Sequence, residues 1–104
     1  MNSPVCLAET LTKMFPPFAD ELEGEDMTSY HQVIQRLTPL IAGYLRKAPK
    51  KTIQGFCNVV NEMVAAGSEK ENAISTCLLE HASRAEVRNI IRPYLNPAAK
   101  QQLR

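Results

Sequence analysis

Apolar residues recur at intervals of three and four between positions 30 and 45, and this spacing constrains the fold more than any other feature of the chain. The stripe consists of Tyr30, Val33, Ile34, Leu37, Leu40, Ile41, Tyr44 and Leu45. Such a period places the apolar side chains on one face of an α-helix. The segment therefore predicts an amphipathic helix that begins at Thr28 or Ser29. Pro39 is expected to kink or split this helix, because proline has no amide hydrogen to donate.

The first part of the chain shows the same period between proline and glycine residues. Ser3 followed by Pro4 predicts a helix start, with the serine hydroxyl as the cap and proline at the first helical position. The sequence FPPF at 15–18 predicts its end. A short helical turn is expected over 19–23, and Gly24 ends it. This part of the chain is therefore predicted to contain one helix and one turn.

The second half begins with another amphipathic helix, predicted from about Lys51 to Ala66 and closed by Gly67. Two Ser-x-x-Glu sequences follow, at 68–71 and 83–86, and both fit the capping box in which serine and glutamate satisfy first-turn amides. The helix after the first box is expected to carry His81 on its inner face.

The helix after the second box is expected to stop before Pro93, and Asn96–Pro97 predicts a last helical turn to about Leu103. No segment alternates with period two, and no Asn-Gly or Asp-Gly hairpin turn occurs. We therefore predict an all-α protein with a single domain over residues 1–104. It would contain five to seven short antiparallel helices, arranged as a bundle or as HEAT-like pairs. The predicted core comprises Leu11, Phe15, Ile34, Leu37, Ile41, Ile53, Phe56, Val60, Ile74, Leu78, Val87 and Ile91.

The composition is that of an ordinary globular domain, with 44% hydrophobic and 22% charged residues. No apolar run approaches the roughly 20 residues that span a bilayer, and the first ten residues lack the pattern of a secretory signal. The three cysteines cannot all pair with one another, and the sequence therefore indicates no disulfide framework. Cys6, Cys57 and Cys77 are each expected to be small buried side chains. We expect a cytoplasmic protein that makes no contact with a membrane.

The sequence lacks residues that metal binding, phosphate binding and nucleophilic catalysis require. Cys77 and His81 are four positions apart, but no further pair supplies the remaining ligands of a structural zinc site. The acidic stretch at 20–26 fails as a calcium loop, because Gly24 falls at the fifth position and not the sixth. No glycine-rich phosphate loop and no activated nucleophile is recognisable. We therefore expect no metal, no cofactor, no small-molecule substrate and no catalytic residue, so that the chain is not an enzyme.

Nucleic-acid binding is also argued against. Arg84, Arg88 and Arg92 recur every four residues on one predicted helix face, and RKAPKK at 46–51 adds four positive charges. An arginine stripe of this kind either follows phosphates or forms the solvated face of an amphipathic helix. The net charge is only +1, and no aromatic residues lie between the basic ones to stack on bases. We favour the solvated face.

The most one-sided stretch is ADELEGED at 19–26. Its five acidic residues are Asp20, Glu21, Glu23, Glu25 and Asp26, and no basic residue interrupts them. Residues 1–44 carry six acidic against two basic residues, whereas residues 45–104 carry five against ten. The acids either form a solvated loop before the positive end of the next helix or bind a positively charged partner.

A resemblance favours the second possibility. Residues 56–95 contain an amphipathic helix, a glycine-capped turn, a helix with NAI and LLE, and an arginine-rich helix that ends in RPYL. This order resembles small all-helical bacterial immunity proteins of polymorphic toxin and contact-dependent growth inhibition systems. The matching residues are Gly67, Asn72, Ala73, Ile74, Leu78, Leu79, Glu80, Arg92, Pro93, Tyr94 and Leu95.

The resemblance implies a cytoplasmic protein that binds one cognate toxin domain and blocks its active site. If that toxin is a nuclease, its cleft must be positive, and the five carboxylates at 20–26 would occupy it in place of nucleic acid. The alternative is a helical interaction or regulatory module that has no toxin partner. The neighbouring reading frame separates the two, because a large exported protein encoded upstream favours the first.

Overall fold

The computed structural model describes residues 3–104. These residues form an all-helical protein without strands, and 75% of them are in helices. The helices are α1 (Pro4–Met14), α2 (Phe18–Leu22), α3 (Tyr30–Lys47), α4 (Lys50–Ala66), α5 (Ser68–Cys77), α6 (Arg88–Ile91) and α7 (Pro97–Gln102). Single turns of 3-10 helix lie at Leu79–His81 and Arg92–Tyr94. The predicted fold class is confirmed, and the number of helices lies within the predicted range.

The first helix begins and ends where the sequence predicted, and α2 is shifted by one residue from the turn predicted over 19–23. The Ser3 hydroxyl accepts a hydrogen bond from the Cys6 amide at 3.1 Å, and Pro4 is the first helical residue. The prolines at 16 and 17 end α1 and lead into α2, whose first residue, Phe18, is fully buried. This side chain fixes α2 to the core, and the acidic residues that follow it are therefore held in place.

Helix α3 begins at the predicted cap, since the Ser29 hydroxyl accepts a hydrogen bond from the Gln32 amide at 3.1 Å. A split at Pro39 is wrong: the helix continues through proline to Lys47. Proline deprives only the Gln35 carbonyl of its helical donor, and Gln35 is exposed to water. The Thr38 hydroxyl lies 2.8 Å from the Ile34 carbonyl and 2.9 Å from the Cys77 carbonyl, which joins α3 to α5 at this turn.

The first predicted capping box is wrong. Helix α4 runs to Ala66, and α5 follows after the single residue Gly67, so Ser68 is the first helical residue and caps nothing. Gly67 has a φ of 68° and Ser68 a φ of 51°. Both residues of this tight junction are therefore in the left-handed region, and no extended cap residue precedes α5.

The second predicted capping box is also wrong. Residues 82–86 form a turn, α6 begins only at Arg88, and no side chain caps it. The chain end determines this arrangement, because the Ser83 amide donates to the Arg104 carbonyl at 2.9 Å and the Arg104 amide to the Leu79 carbonyl at 2.8 Å. His81 lies in the preceding 3-10 turn and is exposed, contrary to the inner position expected for it.

Asn96 does cap the last helix as predicted, with its side chain accepting from the Ala99 amide at 3.0 Å.

The core connects all these elements: α5 packs against α3 and α4, and α1 packs against the same two helices. Of the twelve predicted core residues, eleven are buried and Ile53 is partly buried. The radius of gyration of 12.3 Å matches the roughly 13 Å expected for a compact domain of this length.

Two further observations concern the cysteines and membranes. Cys57 and Cys77 are buried as expected, but Cys6 is exposed, because the α1 face that enters the core is formed by Leu7, Ala8 and Leu11. Over residues 3–104, no helix has both the length and the apolar character needed to cross a membrane.

Candidate functional site

The predicted partner-binding residues lie on α2 and the loop after it. Asp20 and Glu21 belong to the first turn of α2, where carboxylates are favoured by the positive end of the helix. Glu23 ends the helix, and Gly24 turns the chain with a φ of 78°. We call residues 20–26 the acidic segment.

One of the five carboxylates is used internally. Glu25 forms an ion pair with Arg36 on α3 and accepts a hydrogen bond from the Gln32 side chain at 3.4 Å. The oxygen of the same Gln32 side chain accepts from the Thr28 amide at 3.0 Å. The Glu25 side chain is 25% exposed. Glu25 therefore fastens the acidic segment to α3, and its role in the structure is to hold the loop.

The other four carboxylates, Asp20, Glu21, Glu23 and Asp26, are on exposed residues. In the part of the chain that the structure describes, none of the four forms an ion pair. Burial chiefly, and then Glu21 and Asp20, raise the pKa of Tyr44. These two carboxylates thus lie near the second half of α3.

A groove lies directly beside the acidic segment, between α1 and the chain from α2 to residue 27. It has a volume of about 460 Å³ and is lined mainly by apolar atoms. We call it the α1–α2 groove; its lining residues are Val5, Ala8, Glu9, Thr12, Lys13, Ala19, Leu22, Glu25 and Met27. Val5 is 50% exposed and is the one large hydrophobic residue exposed among residues 3–104. Glu9 and Glu25 are the two carboxylates that line this mainly apolar groove, together with the cation Lys13.

The sequence did not predict this groove. Its walls come from α1, α2 and the following loop, and their approach depends on tertiary packing. Val5 lies outside the buried face of α1, which is formed by Leu7, Ala8 and Leu11. A single apolar residue on a surface is ordinary, so the sequence contained no signal for this groove.

The other residues considered in the sequence analysis are the Cys77–His81 pair and the three arginines at 84, 88 and 92. Cys77 ends α5 and His81 lies in the next turn, and the described residues contain no group of three or more potential metal ligands. Arg84 is in a turn, Arg88 begins α6 and Arg92 begins a 3-10 turn. The expected arginine stripe on one helix face is therefore wrong.

Fold and surface together define a small all-helical domain with an acidic segment beside an apolar groove. A family model described as "Domain of unknown function (DUF7674)" matches residues 8–104, and the chain belongs to this family. No curated protein and no solved structure matches the chain.

Proposed function

We propose that this protein is a binding protein without catalytic activity, and that its partner is a protein with a positively charged surface. The observation that supports the proposal is a run of four exposed carboxylates in the acidic segment, whose neighbouring residues Leu22, Glu25 and Met27 line the α1–α2 groove. Protein interfaces combine an apolar centre with a polar rim, and complementary charge accelerates association. The groove would receive an apolar side chain of the partner while the acidic segment contacts basic residues around it.

The resemblance described above suggests which partner this is. We propose a cognate bacterial toxin domain whose active site is basic because it holds nucleic acid. The acidic segment would block that active site, and the protein would act as an immunity protein in the cytoplasm. The alternative partner is a regulatory or structural protein unrelated to toxins. It would use the same surface, so the identity of the partner decides between the two.

The test is binding to the product of the neighbouring upstream reading frame. We expect the variant Asp20→Asn, Glu21→Gln, Glu23→Gln and Asp26→Asn to bind at least about tenfold more weakly, which corresponds to about 1.4 kcal/mol. Its salt dependence should also be reduced, since fewer charges attract the partner. The thermal midpoint should change little, because these carboxylates are exposed and Glu25, which holds the loop, is retained. Neutralising Asp20 and Glu21 removes only the weak, salt-screened attraction to the positive end of α2.

A control variant removes three exposed carboxylates elsewhere, through Glu62→Gln, Glu69→Gln and Glu80→Gln. We expect this variant to bind within about twofold of the wild type, because its net charge changes to a similar extent but the acidic segment is intact. Equal weakening of both variants would mean that net charge alone matters. Unchanged affinity of the first variant would refute the proposed surface.

Growth protection separates the two partners. If the upstream product is toxic when expressed in bacteria, co-expression of this protein should restore growth, and the variant of the acidic segment should restore it less. A product that binds but is not toxic would support the regulatory alternative.

A further inference from the structure

A second groove lies along α3, and it shares no lining residue with the α1–α2 groove. The groove has a volume of about 710 Å³ and lies between α3, the end of α5 and the segment that leads to residue 86. Pro39, Ala42 and Gly43 form its α3 side, and the space beside Gly43 is open. The volume is within the range of roughly 300–1,000 Å³ that is typical of small-molecule sites.

Two arginines are among the polar residues of this groove. Arg46 and Arg84 line it, and Glu86 is the one carboxylate among its lining residues. Arg46 forms an ion pair with Glu86. Arg84 has no carboxylate within ion-pair distance anywhere in residues 3–104. The groove therefore offers one guanidinium that already holds a carboxylate and a second that holds none.

Glu86 occupies this position at a conformational cost. Its φ is 60°, in the left-handed region that side chains with a Cβ disfavour. The Glu86 amide donates to the Ser83 carbonyl at 3.1 Å and the Val87 amide to the Ala82 carbonyl at 3.0 Å. These bonds form a Schellman motif, in which the left-handed residue is usually glycine. Glutamate therefore occupies a backbone position at which glycine would be less strained, and its carboxylate forms the ion pair with Arg46.

We propose that this groove binds a small organic carboxylate, and that the Glu86 side chain occupies the place of the ligand's carboxylate until the ligand arrives. The forked guanidinium of Arg46 matches a carboxylate in shape and charge. Displacing Glu86 costs little, because the Arg46 and Glu86 side chains are 55% and 68% exposed and exposed ion pairs are weak. The ligand gains a second guanidinium, that of Arg84, which Glu86 does not use.

Citrate is a suitable probe, because it carries several carboxylates and fits the groove. We expect a titration of citrate at constant ionic strength to shift the amide resonances of Gly43, Thr76 and His81 saturably. Arg84→Gln should weaken binding by about fivefold or more, since a charged hydrogen-bonding partner is lost. Glu86→Gln should strengthen it by up to about fivefold, because the internal competitor is removed and an exposed ion pair is worth no more than this factor.

Arg92→Gln is the matched control, since Arg92 is an exposed arginine that does not line the groove. We expect it to leave citrate affinity unchanged, and each variant should keep the dispersed amide spectrum of the folded protein. A titration that does not saturate, or equal weakening by Arg84→Gln and Arg92→Gln, would overturn the proposal. Inorganic phosphate at equal ionic strength should bind more weakly than citrate. Equal affinity at the same residues would show that the groove selects charge alone and would refute the assignment of a carboxylate.

Discussion

Among the described residues, Cys57 is the titratable residue whose pKa is shifted most by its surroundings. It lies in the middle of α4, is fully buried, and its thiol donates to the Ile91 carbonyl at 3.7 Å. Burial raises the pKa of the Cys57 thiol from 9.0 to about 12, because the thiolate is poorly solvated in the core. Cys57 is therefore a packing residue, as its position on the apolar face of the predicted helix suggested.

This pKa shift predicts how stability changes at alkaline pH. Below pH 9.0 the thiol is protonated in both states; between pH 9.0 and about 12 the unfolded chain loses the proton and the folded chain keeps it. The free energy of unfolding should therefore decrease as pH rises, by at most about 1.4 kcal/mol per pH unit from this group. Cys57→Ala should show a shallower decrease, measured by urea unfolding at a series of pH values. Cys6→Ala, at the exposed cysteine, should keep the wild-type slope, and equal slopes for all three proteins would contradict the assignment.

Helix starts show what local sequence determines and what it does not. Ser3, Ser29 and Asn96 were each predicted as caps, and each accepts an amide hydrogen bond from the first turn. Ser68 and Ser83 matched the capping-box pattern equally well, yet neither caps a helix. The pattern fails at Ser68 because α5 follows α4 after Gly67 alone, which leaves no extended cap residue. It fails at Ser83 because Ser83 and Leu79 form backbone hydrogen bonds with Arg104. These two bonds join residues that are distant in sequence, and no local pattern contains them.

Capping therefore gives a prediction at the level of single helices. Ser29→Ala should lower the free energy of unfolding by about 0.5–2 kcal/mol, since the Gln32 amide loses its acceptor. Ser83→Ala, a matched change at an exposed serine that caps nothing, should stay within about 0.5 kcal/mol of the wild type. Chemical denaturation of both variants measures the difference. A larger effect at Ser83 than at Ser29 would mean that the helix starts are placed wrongly.

At the scale of the whole molecule, the core was largely predictable and the surfaces were only partly so. Apolar periodicity alone predicted buried residues in α1, α3, α4 and α5. Apolar residues must recur every three to four positions in a helix that buries one face. The exposure of most of the acidic segment also follows from its composition. The ion pair of Glu25 with Arg36 and the apolar groove beside Val5 required the tertiary arrangement. A surface built from several helices is determined by their packing and has no periodic signature.

The buried cluster includes residues from each of the seven helices, from Leu7 in α1 to Ala99 in α7, and this continuity predicts cooperative unfolding of the single domain. Leu78 is fully buried directly after α5. Leu78→Ala should cost about 2–5 kcal/mol, a large part of the roughly 5–15 kcal/mol that stabilises a typical domain.

The measurement is urea unfolding followed by far-ultraviolet circular dichroism and by the amide resonances of α1 and α7. All three signals should change at one midpoint in the wild type, and Leu78→Ala should shift them together to lower urea concentration, because both ends of the chain pack on the same core. Val5→Ala serves as the control: Val5 is half exposed, so its truncation should change the midpoint little. Loss of the α1 signal at lower urea than the α7 signal would show that the chain does not fold as one unit, and an unchanged midpoint in Leu78→Ala would contradict its place in the core.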